Sequence, residues 1–370
     1  MNLDARVAAV VSAAAEFPWL GELTPENIRR WVELELGEYL SDPEPQSYGS
    51  QHCLAVPLSP ILHIVSGNTP HAGLQSLIRG VIVGATNWMK LPRQGLPEID
   101  NFVRALPDEV RPELATELTS HWIEAAEAIV VFGSDETVRE FARRVLPVQR
   151  LLPHGDKISL GLISGRCDLQ IAEGIARDVF PFDQMGCLSP QFFYVAGDSF
   201  EFASQLAKQL EKRSRKPESS ARASGVAGAL RTFREEWKFR AATESGVFIW
   251  ESLGNLDWVI VHDPNPGLVA NPLHGTIFIK PMPFQPELAL APIRRLISTI
   301  GLFPINPQSA ALAIRCGAQR ICQIGQMQHP PLTWHHDGWP TLASLVRYVD
   351  VELGEGVQEL QEFRSCRIRN

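Results

Sequence analysis

The sequence predicts an α/β protein with a mainly parallel sheet, divided into two lobes. Short apolar runs and amphipathic helical patterns alternate from about residue 54 to residue 200, as in layered α/β folds. With 370 residues the chain is long for a single hydrophobic core, so two lobes are expected. Hydrophobic residues make up 45% and charged residues 21% of the chain, which is ordinary for a globular protein.

Charge and cysteine content exclude several classes of protein. The formal net charge is -8, whereas a nucleic-acid-binding surface needs a basic balance, so we predict no nucleic-acid partner. The six cysteines show no C-x-x-C pair and no zinc-ligand spacing, so we expect reduced thiols. The apolar run at 7–15 is far too short to span a membrane, and we expect a cytoplasmic protein. Helical spacing instead predicts an amphipathic first helix, with an apolar face of Leu3, Val7, Val10 and Ala14.

The clearest local prediction is a βαβ unit at 61–91. Residues 61–65 and 87–91 are typical of short buried strands, and Pro70 fits the first position of a helix between them. Gly84 is expected to end this helix. Its apolar residues recur at i, i+3, i+4 and i+7, which predicts one face packed on a sheet: Leu74, Leu77, Ile78 and Val81.

A second strand–turn–helix unit follows at 129–145. Residues 129–132 predict a buried strand, Gly133 and Ser134 a turn, and residues 135–145 a helix with Ser134 as its N-cap. A third strand is expected at 192–195, directly after the segment 182–191.

Cys187, in the segment 182–191, is the strongest candidate for chemistry. It follows Gly186, and we interpret the pattern as a cysteine between an apolar strand and a turn. At such a loop, backbone N–H groups lower the pKa of a thiol from its ordinary value of ~8.5. A lone cysteine is more often a buried structural residue, so the catalytic interpretation depends on motifs elsewhere in the chain.

Three upstream motifs resemble those of aldehyde dehydrogenases. The strand and turn ending at Asn68 are similar to the turn whose asparagine helps bind the oxyanion in that superfamily. Lys90 matches the lysine that contacts the adenosine ribose of the cofactor, and Gly133 with Ser134 resembles the turn beside the pyrophosphate. The order and spacing of these three motifs agree with the superfamily. Each motif alone is weak evidence, but the three together with the cysteine loop form a specific set of four.

The cysteine loop resembles the Phe-x-Gln-x-x-Cys loop of the same superfamily, with Phe182, Gln184 and Cys187 in register. The match is best to LuxC-type fatty acyl reductases, because of the segments 155–159 and 330–348. The resemblance covers roughly residues 55 to 350. It implies an aldehyde-dehydrogenase-like fold of two Rossmann-like, three-layer lobes with the active site between them. The cofactor-binding lobe would be residues 1–157, the catalytic lobe 158–335, and 336–370 a C-terminal segment with an oligomerisation strand.

The resemblance implies NADPH-dependent reduction of an acyl thioester, an acyl-CoA or acyl-carrier with a fatty acyl group, to the aldehyde. Cys187 would carry the acyl group and Asn68 would help bind the oxyanion. Two alternatives stay open. One is an NAD(P)-dependent aldehyde dehydrogenase that oxidises aldehydes, and the other is a non-catalytic acyl-binding subunit of a reductase complex.

Two departures from the superfamily pattern bear on the reaction. Hydrolytic members carry a glutamate that activates water, and the corresponding stretch at 152–157 has none, which favours exchange with a thiol over acid formation. His154 could replace that base, although a loop histidine beside a glycine is more often simply exposed. The late Glu-x-Phe-Gly-Pro signature is also missing, and its nearest candidate, residues 274–278, lacks the glutamate.

A third departure concerns the cofactor. NAD-preferring members often carry a glutamate three residues after the ribose lysine, where this chain has Arg93. A guanidinium pairs with a 2′-phosphate, so we expect Arg93 to favour NADPH. The alternative is an arginine that is simply solvated at the end of a strand.

Three further segments carry predictions. Adjacent histidines on an extended segment point to opposite sides, so His335, His336 and Asp337 are not expected to bind a metal. Residues 346–353 alternate apolar and polar side chains and predict an edge strand, buried in a homodimer or larger homo-oligomer or else added to the second lobe. The segment 211–225 predicts a solvated surface loop whose basic residues could also dock coenzyme A or an acidic carrier: Lys212, Arg213, Arg215, Lys216 and Arg222.

Overall fold

The computed structural model describes residues 1–37, 46–48, 51–213 and 224–352. The chain divides into two compact units, one formed by Met1–Gly155 with Pro331–Asn370 and the other by Asp156–Pro330. The sequence analysis placed these limits at 157 and 335 and set residues 336–370 apart. Contacts within the chain join the described part of that segment, residues 336–352, to the first unit.

The described residues form helices and strands in the following order. The helices are α1 (Leu3–Ala14), α2 (Pro25–Leu36), α3 (Pro70–Val83), α4 (Pro97–Ala105), α5 (Ser120–Ala125), α6 (Asp135–Ala142), α7 (Leu169–Val179), α8 (Ser199–Arg213), α9 (Ser224–Thr243), α10 (Pro286–Ala289) and α11 (Pro307–Cys316). The strands are β1 (Gln46–Tyr48), β2 (Gln51–Pro57), β3 (Ile61–Ile64), β4 (Asn87–Lys90), β5 (Glu113–Ala115), β6 (Ala128–Phe132), β7 (Arg150–His154), β8 (Ile158–Ser164), β9 (Pro190–Ala196), β10 (Phe248–Glu251), β11 (Val259–His262), β12 (Thr276–Pro281), β13 (Ile297–Phe303), β14 (Arg320–Gln323) and β15 (Val346–Glu352). No helix in these ranges has the length and apolar character needed to cross a bilayer.

The first unit is built on a five-stranded sheet of order β5-β4-β3-β6-β7, in which every pairing is parallel. Successive side chains of a strand face opposite sides, and β3 shows this directly. Ile61 packs with residues of α1 to α4, whereas Leu62 and Ile64 pack with residues of α5 and α6. The unit is therefore a three-layer α/β/α structure, and the amphipathic first helix is confirmed with Val7 and Val10 buried.

The βαβ unit predicted at 61–91 is confirmed. Pro70 is the first residue of α3, and Gly84 ends the helix in the left-handed conformation that glycine adopts without strain (φ 87°). In the last turns of α3, a Cβ on Gly80 would lie 1.9 Å from Oδ1 of Asn87. The missing side chain lets Asn87 reach Nε2 of the buried His63 at 3.0 Å, and Nδ1 of His63 lies 2.7 Å from Oγ of Ser76 on the helix, so the helix and both strands are joined.

The second unit is built on a seven-stranded sheet of order β10-β11-β12-β9-β8-β13-β14. Only the β10–β11 pairing among these strands is antiparallel. One face packs against residues of α7 and α8, and the other against residues of α9 and α11. In β9, Phe193 and Val195 contribute to the first core and Phe192 and Tyr194 to the second, so this unit also has three layers.

A separate three-stranded antiparallel sheet has the order β1-β2-β15. The strand predicted at 346–353 is confirmed as β15, and residue 353 lies outside the described residues. The strand pairs with β2 of its own chain from Val346 opposite Pro57 to Glu352 opposite Gln51. It is thus added to a strand of the first unit and not to the second lobe.

Candidate active site

Cys187 lies in the loop between a 3₁₀ turn at Pro181–Gln184 and strand β9. The element before this loop is helix α7, so the apolar strand that the sequence analysis placed there is wrong. The apolar residues of 169–179 recur at helical spacing, and a helix buries them against the sheet. Because Cys187 precedes β9, its loop lies at the amino edge of the seven-stranded sheet. Its side chain is half-buried.

Gln184, the glutamine of the Phe-x-Gln-x-x-Cys motif, fastens this loop to the neighbouring turn at Gly275 and Thr276. Its side chain is fully buried. Nε2 donates to the carbonyl oxygens of Pro190 and Thr276, both at 2.9 Å. Oε1 accepts from the N–H groups of Gly275 and Thr276, at 2.9 and 3.0 Å. Both ends of the amide form hydrogen bonds, so the side chain of Gln184 fixes the loop before and after Cys187.

The backbone before Cys187 is left-handed over three successive non-glycine residues. Phe182, Asp183 and Gln184 have φ angles of 53°, 51° and 63°. Such conformations cost roughly 1–3 kcal/mol each and persist only where surrounding structure imposes them. Here the hydrogen bonds of Gln184 impose them, and strain of this kind is typical of functional sites.

The turn that faces this loop is also left-handed. Leu273 and His274 have φ angles of 66° and 55°, and Nδ1 of His274 donates to Oδ2 of Asp183 at 2.5 Å. Residues 274–278 are the nearest candidate in the sequence for the missing Glu-x-Phe-Gly-Pro signature. The structure places His274 against the loop that carries Cys187, in the same unit.

Two serines hold the peptide groups around Cys187. Oγ of Ser159, at the start of β8, donates to the carbonyl oxygen of Cys187 at 2.7 Å. Oγ of Ser189 accepts from Nε2 of Gln328 at 2.9 Å. The thiol-bearing residue is therefore fixed through its own carbonyl and through the residue two positions later.

Gln328 belongs to a buried polar network centred on Asp178. The carboxylate of Asp178 accepts from the N–H groups of Gly325 and Met327 at 2.5 and 2.8 Å, and its carbonyl accepts from Gln328 at 2.7 Å. Burial raises the pKa of Asp178 to about 7, although the two N–H groups and the charges of Arg320 and Arg177 act in the opposite direction.

The sequence analysis missed Ser159, Asp178 and Gln328 as members of this site. Asp178 did leave a signal, because it occupies an apolar-face position of α7, seven residues after Ile171 and three after Ile175. A charged residue on an apolar stripe is rarely buried without partners. Ser159 lies in β8 and Gln328 in a turn, and neither left a comparable pattern.

The five-stranded sheet of the first unit brings four predicted residues to one edge. Asn68 follows β3, Lys90 ends β4, and Gly133 with Ser134 follows β6. These are carboxyl ends of parallel strands. The strand order reverses direction between β3 and β6, and ligands of open α/β sheets bind at such a point. Cys187 belongs to the second unit and is not part of this edge.

Asn68 and Arg93 are exposed, and Lys90 is partly buried. The edge therefore carries an amide and two basic groups that a ligand can reach.

Gly133 and Ser134 form the predicted turn at the start of α6. Oγ of Ser134 accepts from the N–H of Thr137 at 3.3 Å, which confirms the predicted N-cap. A Cβ on Gly133 would lie 2.9 Å from Cβ of Thr137, so a larger residue would crowd this turn. The helix ends at Ala142, earlier than the predicted residue 145.

His154 is the last residue of β7, and the expectation of an exposed loop histidine is wrong. Its side chain is only 15% exposed, because Asp337 and two aromatic rings cover it. Nδ1 lies 2.6 Å from Oδ2 of Asp337. The imidazole stacks on Phe132, with 4.6 Å between ring centroids, and lies tilted by 31° against His336, with 4.3 Å between ring centroids.

His154, His336 and Asp337 bring their nitrogen and oxygen atoms within 4.8 Å of one another, a grouping that could hold a metal ion. His335 is exposed while His336 is buried, so the two adjacent histidines do face different surroundings. The 2.6 Å contact between His154 and Asp337 has the length of a charge-assisted hydrogen bond. Two ligands of a tetrahedral zinc ion stand farther apart, roughly 3.3 Å, given Zn–N and Zn–O distances of about 2.0–2.2 Å. The geometry thus describes a histidine oriented by a carboxylate.

The basic loop predicted at 211–225 lies largely outside the described residues. Helix α8 ends at Arg213 and helix α9 begins at Ser224, so two helices flank the segment. Lys212 is exposed at the end of α8. Arg215, Lys216 and Arg222 fall outside the described ranges.

Solved structures with the same architecture are aldehyde and related dehydrogenases. An NADP-dependent glyceraldehyde-3-phosphate dehydrogenase from Bacillus halodurans C-125, complexed with NADP, is 14% identical and superposes with a TM-score of 0.68, covering 96% of this chain and 88% of that chain. The aldehyde dehydrogenase PutA of Anabaena variabilis is 16% identical with a TM-score of 0.66, covering 97% and 90%. A 1-pyrroline-5-carboxylate dehydrogenase from Thermus with bound NAD is 14% identical with a TM-score of 0.64, covering 95% and 81%. The predicted aldehyde-dehydrogenase-like fold is confirmed.

The chain is also similar in sequence to curated long-chain acyl-protein thioester reductases. The protein of Aliivibrio fischeri is 23% identical over 328 residues, which cover 82% of this chain and 66% of that protein. The protein of Photorhabdus laumondii is 25% identical over 352 residues, covering 87% and 69%. The chain thus spans about two thirds of the length of these relatives. The family model described as acyl-CoA reductase (LuxC) matches residues 8–106 and 109–348. By this match over most of its length, the chain belongs to the LuxC family of acyl-CoA reductases.

Proposed function

We propose that this protein reduces a fatty acyl thioester, on coenzyme A or on an acyl carrier, to the aldehyde, with Cys187 as the residue that carries the acyl group. The observation that carries the proposal is the loop of Cys187, which Gln184 holds in a left-handed conformation through four hydrogen bonds. Relatives of this chain are named as long-chain acyl-protein thioester reductases, which supports an acyl thioester as substrate.

The first half of the reaction is acyl transfer to sulfur. The thiolate of Cys187 attacks the carbonyl carbon of the thioester, and a new carbon–sulfur bond forms as the carbonyl becomes an oxyanion. Collapse of this oxyanion breaks the bond to the departing thiol, which leaves as a thiolate and takes up a proton. We assign Asn68 as a donor to the oxyanion, a contact that is worth ~3 kcal/mol in comparable sites.

In the second half of the reaction, the acyl thioester on Cys187 accepts a hydride. Water must therefore not hydrolyse this thioester first. Hydrolysis of an acyl-enzyme requires a base that activates water, and the stretch at 152–157 offers His154 in place of a glutamate. Nδ1 of His154 is held by Asp337, and the side chain, which contacts Phe132 and His336, is only 15% exposed, so little of it is open to water. We infer that the acyl group on Cys187 persists long enough for reduction, which returns the thiolate of Cys187 as the aldehyde departs.

NADPH, when bound, supplies the hydride. The carboxyl edge of the five-stranded sheet fits a dinucleotide, because the Gly133–Ser134 turn is compact and lies at the strand-order reversal. We assign Lys90 to the adenosine ribose, Gly133 and Ser134 to the pyrophosphate, and Arg93 to the 2′-phosphate. Arg93 is exposed and positively charged, which supports NADPH over NADH.

The test is mass spectrometry of the intact protein after incubation with fatty acyl-CoAs of different lengths, first without NADPH and then with it. We expect a mass increase of one acyl group, located on Cys187, that disappears with release of aldehyde when NADPH is added. Cys187→Ala should form neither adduct nor aldehyde, whereas Cys53→Ala, a control at another half-buried cysteine, should form both.

Incubation with an aldehyde and NAD(P)⁺, with and without coenzyme A, separates the alternatives together with the adduct measurement. An aldehyde dehydrogenase would oxidise aldehydes to acids in the absence of any thiol, and a non-catalytic acyl-binding subunit would bind acyl chains without a covalent adduct. An adduct that survives in Cys187→Ala would contradict the assignment of the nucleophile.

A further inference from the structure

Arg320 is a buried arginine at the start of β14, in the same unit as Cys187. It is 9% exposed. Nη1 donates to the carbonyl oxygen of Met327 at 2.7 Å and Nη2 to that of Gln326 at 2.8 Å. These two bonds fix the guanidinium in one orientation. A charge that is removed from water and held in place acts strongly on nearby groups, because little solvent screens it.

The turn at 325–328 connects this guanidinium to the loop of Cys187. Asp178 anchors the turn through the N–H groups of Gly325 and Met327. From the same turn, Nε2 of Gln328 reaches Oγ of Ser189, two residues after Cys187. Arg320, the turn and the nucleophile loop are thus parts of one hydrogen-bonded assembly at the amino edge of the seven-stranded sheet.

The electrostatics of Arg320 include Cys187 directly. Burial lowers the pKa of Arg320 from its ordinary value, and Cys322, Asp178 and Cys187 act in the opposite direction. Interactions between two titrating groups are reciprocal, so a thiolate that stabilises the guanidinium is stabilised by it to the same extent. An arginine remains protonated over the working pH range of proteins, so this stabilisation is permanent.

We propose that Arg320 is the fixed positive charge that holds Cys187 as a thiolate, the form that attacks a thioester. Arg320 is a positioning residue: it acts through Cys187 and the turn at 325–328. The inference rests on the proposed role of Cys187, but it concerns a property of the thiol that can be measured without substrate or cofactor.

The charged groups near Arg320 set the pH range of the effect. Asp178 and Arg177 are the charged neighbours, and the thiol of Cys322, whose pKa burial raises to about 11, remains neutral. Burial raises the pKa of Asp178 to about 7. Below that pH Asp178 is neutral and the positive charge of Arg320 acts on Cys187 unopposed. Above it, the Asp178 carboxylate offsets part of that charge.

The experiment measures the rate at which iodoacetamide alkylates Cys187 in the full-length protein, from about pH 5 to pH 10, by peptide mass spectrometry. The midpoint of the wild-type profile should lie below the ordinary thiol value of ~8.5. Arg320→Gln should raise the midpoint by about one pH unit or more, the size expected for loss of a neighbouring opposite charge. Arg320→Lys keeps the charge and should retain most of the wild-type shift. Arg315→Gln, a matched control at an exposed arginine of α11, should leave the profile unchanged.

Several outcomes would overturn the inference. They are a wild-type midpoint at or above ~8.5, an unchanged midpoint in Arg320→Gln, or equal upward shifts in Arg320→Gln and Arg320→Lys, which would indicate lost structure and not lost charge. Circular dichroism identifies a variant that does not fold. If Arg320→Gln does not fold, Asp178→Asn takes its place: it should lower the midpoint, and an unchanged or raised midpoint counts against the inference.

Failure of this inference and failure of the proposed function are distinguishable. If the alkylation profiles follow the expectation but acyl-CoAs leave no adduct, the thiolate is stabilised by Arg320 and the acyl-transfer proposal is wrong. If the adduct forms and releases aldehyde but the profiles do not respond to Arg320, the function stands without this residue.

Discussion

At the scale of single residues, the loop of Cys187 depends on residues whose polar atoms form hydrogen bonds. Gln184 uses both ends of its amide, and Asp178 uses its carboxylate and its carbonyl. From the sequence, Gln184 is identified only as one residue of the Phe-x-Gln-x-x-Cys motif. Its role in holding the loop follows from its hydrogen bonds to Gly275 and Thr276. The proposed role of Arg93, by contrast, comes from its position three residues after Lys90, which the sequence alone displays.

Arg93→Glu should shift cofactor preference from NADPH towards NADH. Loss of a charge-assisted hydrogen bond costs about 1.5–3 kcal/mol, which corresponds to a change of roughly ten- to hundredfold in the ratio of kcat/KM for the two cofactors. Steady-state kinetics with each cofactor measure the ratio. Arg30→Glu reverses the charge of an exposed arginine on α2 and should leave the ratio unchanged. An equal ratio in the Arg93 variant and the wild type would remove Arg93 from the cofactor site.

At the scale of elements, two left-handed turns meet at the amino edge of the seven-stranded sheet. Residues 182–184 and 273–275 have positive φ angles, and the contacts of Gln184 and of Asp183 with His274 join them. Local propensity opposes both turns, because only Gly275 among these residues adopts this conformation without cost. The sequence analysis therefore expected a strand before Cys187, whereas the structure has a helix and a strained turn.

Gln184→Ala should destabilise this loop more than the size of the removed side chain suggests. It leaves buried N–H and carbonyl groups without their partners, each worth about 1–3 kcal/mol, so we expect a loss of roughly 3–5 kcal/mol in the free energy of unfolding. Chemical denaturation measures the loss, and acylation of Cys187 should fall with it. Gln184→Glu keeps the Oε1 acceptor but replaces the Nε2 donor with an oxygen that faces the carbonyl oxygens of Pro190 and Thr276, so it should restore neither stability nor acylation. Gln205→Ala removes a surface hydrogen bond on α8 and should change stability by less than about 0.5 kcal/mol. A stable, fully active Gln184→Ala protein would show that the loop holds its conformation without this side chain.

At the scale of the whole molecule, β15 pairs with β2, a strand from the first part of the chain. β15 pairs with β2 along its length and lies at one edge of the three-stranded sheet, with Tyr348 and Val349 45% and 38% exposed. An edge strand with exposed apolar side chains is a template for pairing with another chain. We therefore retain the prediction of a homodimer or larger homo-oligomer in which β15 takes part.

Truncation at residue 345 should abolish this assembly, and truncation at residue 354 should preserve it. The shorter chain loses β15, which removes the proposed contact and also leaves β2 with an unpaired edge. Light scattering gives the mass of each protein, and thermal unfolding shows whether the shorter chain is folded. A folded chain ending at 345 that has the oligomeric state of the longer one would exclude β15 as the contact.

The sequence by itself determined the local structure and the identity of the candidate residues. The period of the apolar residues fixed α3 and the strands around it, Pro70 and Gly84 marked the helix limits, and Ser134 marked the start of α6. These features depend on neighbours a few positions away, which a single sequence displays. The order of the four motifs likewise pointed to the aldehyde-dehydrogenase fold and to Cys187, and that fold is confirmed.

Tertiary structure alone decided which distant residues support those candidates. The carboxylate of Asp337 meets His154 across 183 positions of sequence, and Asp178 meets Met327 across 149. No local pattern encodes such pairs, because each partner is selected by the strand order of the sheets and not by its neighbours in the chain. For the same reason the left-handed turn before Cys187 could not be foreseen: the hydrogen bonds that offset its strain come from a turn some ninety residues later, between Gln184 and Thr276.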